Sequence, residues 1–270
     1  AIESGQVKGM WLIATNPMTS MANQGRIRKM MEKLDFLIVQ DCYQDVETTD
    51  FAHAYFPAAV WAEKQGCHTN TERRVNLTRN ALAPHGDSKS DFWIFNQMAK
   101  RFDNYEQMTF PENTEAVFEE MKALSVPAKG ERRTLDITGM TYDLIEKHRG
   151  LQWPCRASND DMPQPQPEPR LYTDGTFQTP TGKANLISVK FVNNNECPDD
   201  EYPFWMNSGR IVEHFHTRTR TGKIGNINKF NPTAYMELNP DAAAHLGVAN
   251  GEYVRAISRR GDAVVMVQLT

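Results

Sequence analysis

The sequence predicts an α/β chain, in which a domain built on a parallel sheet is followed by a region of short strands closing as a small barrel. Three observations carry that expectation. Two uninterrupted apolar runs, residues 10–14 and 36–39, flank a segment where Ile27, Met30, Met31 and Leu34 recur at the spacing of one helical face. Four prolines fall within residues 162–170, which forces an extended linker or arm. Beyond them, short β-prone runs bounded by turn residues continue to Thr270.

The run from Met10 to Ala14 ends at Thr15-Asn16-Pro17 and reads as a buried strand entering a turn. The helix follows, and Phe36–Val39 makes a second strand ending at Gln40-Asp41. Such a strand-helix-strand unit binds ligands outside the carboxyl ends of its strands, where Asn16 and Asp41 stand. Polar residues there serve equally as helix caps or Asx turns, so both readings stay open. Tyr55–Ala59 reads as a short strand, whereas residues 66–74 are too polar for core. Ser90 is placed to cap a helix from Asp91 whose apolar face is Phe92, Phe95, Met98/Ala99 and Phe102. A second helix, residues 114–124, shows Val117, Met121 and Leu124 with Phe118 beside them, and both stripes read as core.

After the prolines, Leu171-Tyr172, Phe177–Thr179, Leu186–Val189 and Phe204–Met206 read as strands, with turns at Asp174-Gly175 and Thr181-Gly182. Ala234–Leu238, Tyr253–Ile257 and Ala263–Val267 continue the pattern, the last two joined by a turn at Arg259–Asp262. One helix interrupts them: Asn239 caps Pro240–Leu246 and Gly247 stops it.

Charged residues at 24% and hydrophobic residues at 40% are ordinary for a soluble globular protein. A net charge of -4 argues against bulk electrostatic binding of nucleic acid, although Arg73-Arg74 and Arg218–Arg220 form local basic patches suited to phosphates. No apolar run approaches the roughly 18–20 residues of a membrane-spanning helix. The four cysteines, Cys42, Cys67, Cys155 and Cys197, lie far apart without a C-x-x-C pair. They support neither an iron-sulfur cluster nor structural zinc, and read as packed or free thiols in a reducing compartment.

The stretch Asn239–Gly261 (NPDAAAHLGVANGEYVRAISRRG) resembles the double-psi β-barrel that ends molybdopterin oxidoreductases. Ser208–Thr217 (SGRIVEHFHT) resembles the stretch that passes over a pterin in nitrate reductases of the bis-molybdopterin-guanine-dinucleotide class. Thr15–Pro17, Gln40-Asp41, Pro57–Gly66 and Thr69–Arg74 are similar to the family's α/β domain in order and spacing. Tyr142–Cys155 and Arg170–Gly175 look closest to the assimilatory nitrate reductases. The resemblance implies a Rossmann-like α/β nucleotide-binding domain over residues 1–160, incomplete at its N-terminus. A proline-rich linker and β-hairpin arm over 161–201 follow, then a double-psi barrel over 202–270, incomplete at its C-terminus.

It further implies a cytoplasmic enzyme that reduces nitrate to nitrite on a molybdenum bis(molybdopterin guanine dinucleotide) cofactor. Electrons would come from a donor protein (ferredoxin, flavodoxin or an NADH-linked subunit) through a 4Fe-4S cluster. The family's cluster cysteines and molybdenum-ligating residue have no counterpart in this sequence. No catalytic or metal-ligating residue is therefore assigned, and the chain alone is expected to be inactive. A formate dehydrogenase of the same superfamily, which shares Asn70–Arg74, and a non-catalytic binding module are the competing readings; the run His214-Phe-His-Thr217 favours nitrate.

The cofactor-binding positions implied are Asn16, Gln40, Asp41, Lys64 and Asp91 in the α/β part, and Ser208, Gly209, Arg210, Glu213, His214, His216 and Thr217 in the barrel. A carboxylate accepts two hydrogen bonds from guanine, so one of Asp41 and Asp91 is expected to read it. Lys64 suits a phosphate or ribose oxygen, Gly209 close backbone approach, and Arg210, His214, His216 and Thr217 hydrogen-bond donation. Arg210 and Arg218 are positional candidates for attracting nitrate. On a strand the two histidines of H-x-H would share one side, a pattern that also fits metal, but no carboxylate or cysteine at ligand spacing supports one.

Overall fold

The computed structural model describes residues 1–107, 110–126, 135–158 and 166–270, so residues 162–165 of the proline-rich segment lie outside it. The chain forms two compact units: Ala1–Phe56 joined with Phe191–Thr270, and the continuous stretch Pro57–Lys190.

Strand β1 (Gly9–Ile13) pairs in parallel with β2 (Phe36–Asp41), from Gly9↔Phe36 to Ile13↔Gln40. The connection runs through α1 (Pro17–Ser20) and α2 (Gln24–Met31), and β3 (Ala54–Pro57) completes the order β1-β2-β3. β2 is buried from Leu37 through Asp41, as its unbroken apolar run requires of a strand covered on both faces. The predicted helical face is the one that packs: Ile27, Met31 and Leu34 join Ile2, Met18, Leu37 and Val39 in one core.

In the second unit, β4 (Gly66–Thr69) and β5 (Arg74–Thr78) form an antiparallel hairpin, extended by β6 (Leu151–Gln152). The polar segment 66–74 thus builds a sheet, with Asn70 Oδ1 accepting from the Glu72 and Arg74 amides at the tip. Helices α3 (Asp91–Ala99), α4 (Thr114–Leu124) and α5 (Tyr142–Lys147) are capped by Ser90, Asn113 and Thr141. β7 (Cys155–Arg156) pairs with β8 (Gln166–Pro167). The core gathers Val75, Phe118, Ile137, Met140, Tyr142, Ile145, Leu151 and Cys155. Burial pushes the Cys67 and Cys155 thiols up to about 11, so both are neutral packing groups at pH 7.

Two expected core faces are corrected. α3 buries Ile94 and Ala99 and leaves Phe95 exposed, with Phe102 exposed just beyond it, and α4 buries Phe118 while Val117, Met121 and Leu124 are exposed. Apolar residues at 92–95, 98 and 99 surround most of α3, so its periodicity selects no single face.

A larger correction concerns residues 168–220, where the expected strands at 171–172, 177–179, 186–189 and 204–206 do not form. The turns do: Gly175 and Gly182 both stand at φ +69°, donating to Tyr172 O and Thr179 O. Without a neighbouring strand to take its backbone groups, a β-prone run gains nothing from extension. Leu186 is accordingly 95% exposed.

The chain then makes α6 (Gly225–Asn228), β9 (Tyr235–Leu238), α7 (Pro240–Leu246), β10 (Tyr253–Ser258) and β11 (Gly261–Leu269). α7 has the predicted limits: Asn239 accepts from the Asp241 amide, and Gly247 closes it at φ +69°. β10 and β11 form a hairpin across Arg259-Arg260, and β11 runs parallel to β9, in the order β10-β11-β9. In place of the expected barrel, the described residues of this stretch form this three-stranded sheet.

Truncating Leu37, which is fully buried, is expected to lower unfolding free energy by about 2–5 kcal/mol. Leu186→Ala should change it by less than about 0.5 kcal/mol. Denaturant titration of both variants checks the contrast.

Candidate functional site

The carboxyl ends of β1 and β2 carry Asn16, Gln40 and Asp41, all buried. Gln40 O accepts from the Ala14 amide, which holds the exit of β1 against β2. Asp41 Oδ1 accepts from the Tyr43 amide at 3.0 Å, the Asx geometry anticipated as its alternative role. Asn16 does not cap α1 with its side chain. Its Oδ1 accepts from Thr48 Oγ1 at 2.6 Å, and its Nδ2 donates to Glu47 Oε2 at 2.9 Å and Thr219 Oγ1 at 3.4 Å.

Thr219 lies 203 residues further along the chain, in a loop brought over these strand ends. Lys223 fastens the same loop, donating to the Asp45 carbonyl at 2.6 Å and pairing with its carboxylate at 3.1 Å. Thr217 Oγ1 is 3.0 Å from Thr219 Oγ1, which links one predicted position to Asn16 through a single hydroxyl. Glu47, Thr48, Thr219 and Lys223 were not singled out from the sequence as binding residues, whereas Arg220 was, as the end of the Arg218–Arg220 patch. The alternating run Arg218-Thr-Arg-Thr-Gly-Lys223 was the available signal.

Within the loop, Ser208, Gly209 and Arg210 are exposed, and nothing of the protein lies within 4 Å of where a Gly209 side chain would start. Glu213 accepts from Asn231 Nδ2 at 2.6 Å. His214 is buried, with Nε2 3.0 Å from the Asn231 carbonyl and Nδ1 3.0 Å from Thr221 Oγ1. Because Thr221 Oγ1 accepts from the Phe215 amide, its proton is free for Nδ1, and Nε2–H serves the carbonyl. Both ring nitrogens are thereby engaged inside the protein. The expected same-side H-x-H pair is corrected: the segment is no strand, and His216 is exposed at φ +48° against the Phe215 ring.

In the continuous unit, Lys64 and Asp91 form an ion pair, each about one-third exposed or less. Asp91 also opens α3, where its charge favours the helix N-terminus.

The two basic patches are mostly engaged by the fold itself. Arg73 donates to the Trp153, Glu168 and Pro169 carbonyls and stacks 5.5 Å from the Trp153 ring. Arg74 donates to Gly150 O at 2.9 Å. Arg218, a positional candidate for nitrate, donates to Pro232 O and Asn228 Oδ1. The Arg220 guanidinium makes no hydrogen bond among the described residues, and its charge opposes the upward push that burial and Asp41 give the Cys42 thiol. Carboxylate acceptors and free guanidinium groups are what guanine and pyrophosphate require, and the first unit offers them in Asp41, Arg210 and Arg220. No group of three or more His, Cys, Asp or Glu side chains suited to a metal occurs among the described residues.

Residues 1–101 match the family model "Molybdopterin oxidoreductase", and residues 204–270 match "Molydopterin dinucleotide binding domain". A nitrate reductase from Synechocystis is 38% identical over 269 residues, 100% of this chain and 37% of that protein. The F420-dependent formate dehydrogenase subunit alpha of Methanocaldococcus jannaschii is 33% identical over 269 residues, 99% of this chain and 37% of that subunit. The chain thus spans just over a third of the length of these relatives. Acetylene hydratase from Pelobacter acetylenicus shares the fold, with TM-score 0.65 and 16% identity over 97% of this chain and 35% of that one.

His214→Ala should cost about 1–3 kcal/mol by leaving the Asn231 carbonyl and Thr221 hydroxyl without their partner, whereas His216→Ala should leave stability nearly unchanged; thermal unfolding compares them. Tyr55 donates to the Asp41 carbonyl at 2.6 Å, and burial, reinforced by the Asp41 charge, pushes its phenol from 10.0 to about 12. A raised folded-state value stabilises fully below the unfolded one, so this contribution is lost as pH climbs from 10.0 to about 12. Denaturation across that window should show stability falling, with a shallower fall in Tyr55→Phe.

Proposed function

The chain belongs to the molybdopterin oxidoreductases, and from that membership we propose that it forms the cofactor-holding part of a longer, cytoplasmic nitrate reductase. The observation that carries the cofactor reading is the meeting of the β1 and β2 ends with the 214–223 loop, fastened by Asn16–Thr219 and Lys223–Asp45. Residues 1–160 are taken as the α/β nucleotide-binding domain and 202–270 as a double-psi barrel, with a linker between. Molybdenum in a bis(molybdopterin guanine dinucleotide) cofactor supplies oxygen-atom transfer from nitrate when bound.

This chain's own share is binding and orientation. One of Asp41 and Asp91 offers its carboxylate to guanine, and Lys64 holds the Asp91 carboxylate in one place. Arg210 and Arg220 offer exposed guanidinium groups to phosphate or to the entering anion. Ser208, Gly209, His216 and Thr217 line the exposed part of the loop, Glu213 and His214 anchor it from within, and Gln40 holds the exit of β1 against β2. Nitrate as substrate is supported by the run His214–Thr217 and by the 38% identity to a nitrate reductase. Electrons are proposed to arrive from a donor protein through an iron-sulfur cluster carried elsewhere in the longer chain. Formate oxidation is the second reading, favoured by the 33% identity to a formate dehydrogenase subunit over nearly the whole chain.

The protein carrying this chain is expected to reduce nitrate with a chemical electron donor and to leave formate unoxidised; formate oxidation without nitrate reduction overturns the assignment. Asp91→Ala should weaken guanine-dinucleotide occupancy by about 1–3 kcal/mol, read as guanine and molybdenum content per folded molecule. Unchanged content would remove Asp91 from the site.

A further inference from the structure

We infer that Thr48 and Glu47 are positioning residues that fix the Asn16 amide so that it presents an N–H donor, not a carbonyl acceptor, towards the 217–220 loop. A side-chain amide has two orientations related by a half-turn, and its neighbours choose between them. Thr48 is fully buried, and its Oγ1 accepts from the Met18 amide at 3.3 Å. Its own proton is therefore directed to Asn16 Oδ1, 2.6 Å away. On the opposite side Glu47 Oε2, 2.9 Å from Asn16 Nδ2, is acceptor-only when ionised. Rotating the amide would set carbonyl against carboxylate and amino group against a donating hydroxyl. Both partners thus hold the amino group outward.

Of the bonds Asn16 makes, the one to Thr219 is the longest, at 3.4 Å, and it faces the loop. A ligand oxygen, phosphate or ring carbonyl, is the chemistry that can share or replace it. Thr48 and Glu47 reach that ligand only through Asn16. The inference rests on the proposed cofactor reading and adds to it the polarity of one contact.

The test measures first-order loss of guanine nucleotide from the purified holoprotein, normalised to folded protein by circular dichroism. Thr48→Val is expected to speed the loss about tenfold, the scale of one lost hydrogen bond, while Thr48→Ser keeps the wild-type rate. Glu47→Ala, at an exposed position, should speed it by a smaller factor and serves if Thr48→Val folds poorly. In an Asn16→Ala background, Thr48→Val and Glu47→Ala should add nothing further, because their effect runs through the amide. Additive losses in that background, or a serine variant no better than valine, would overturn the positioning role. A wild-type holoprotein that holds no guanine nucleotide overturns the cofactor reading together with this inference, whereas a loaded wild type with insensitive variants overturns this inference alone.

Discussion

A buried amide at the end of a strand must be met by partners or cost about 1–3 kcal/mol, and Asn16 meets that constraint by drawing together three parts of the sequence. Its contacts with Glu47, Thr48 and Thr219 join the end of β1 to the segment after β2 and to a loop 203 residues distant. The parallel pairing of β1 and β2 sets the stage, because a crossover leaves both carboxyl ends on the same edge. Gln40 and Asp41 sit there for the same reason. What the loop carries, including Arg220 and the Thr217–Thr219 hydroxyl pair, is placed over the strand ends by those polar contacts and by Lys223.

Elements with a strong local code were legible in the sequence. β1, α2 and β2 follow the apolar runs and the single stripe Ile27–Met31–Leu34, and α7 begins and ends where Asn239 and Gly247 dictate. α3 shows where periodicity fails: its cap was plain and Ala99 was on the expected face, but a helix apolar on most sides does not announce that Ile94 faces the core. The runs at 171–206 failed differently, since a strand exists only with a neighbour, and the sequence of one run says nothing about who pairs with it. At the site, Asn16 and Asp41 stood out because polar residues ending apolar strands are conspicuous. Thr48 and Thr219 did not, because their importance lies in proximity across long loops, which no local pattern encodes.

Arginine shows how misleading composition is about binding. Arg73, Arg74 and Arg218 satisfy backbone carbonyls in irregular segments, where a planar guanidinium replaces missing secondary-structure partners. Arg259 and Arg260 do the same work through charge: they pair with Glu196 and Asp199, and Arg259 lies 4.4 Å from the Tyr202 ring. Arg260 and Arg259 hold the Glu196 carboxyl below its ordinary value, while the Tyr202 amide and then Arg259 do so for Asp199. In this chain a cationic pair thus serves as a clasp for coil, and only its neighbours distinguish that from an anion receptor.

The first compact unit is assembled from Ala1–Phe56 and Phe191–Thr270, with the second unit threaded between them as one unbroken stretch. On the ribosome this imposes an order. The intervening stretch emerges whole and is free to fold, while β1 and β2 wait for Thr219 and Lys223. At about 5–20 residues per second the delay is on the order of ten to thirty seconds. During it the amide of Asn16 and the carboxylate of Asp45 are without their loop partners. Nascent-chain surveillance would meet that half-built edge on every round of synthesis, before the loop from the far end of the chain arrives to cover it.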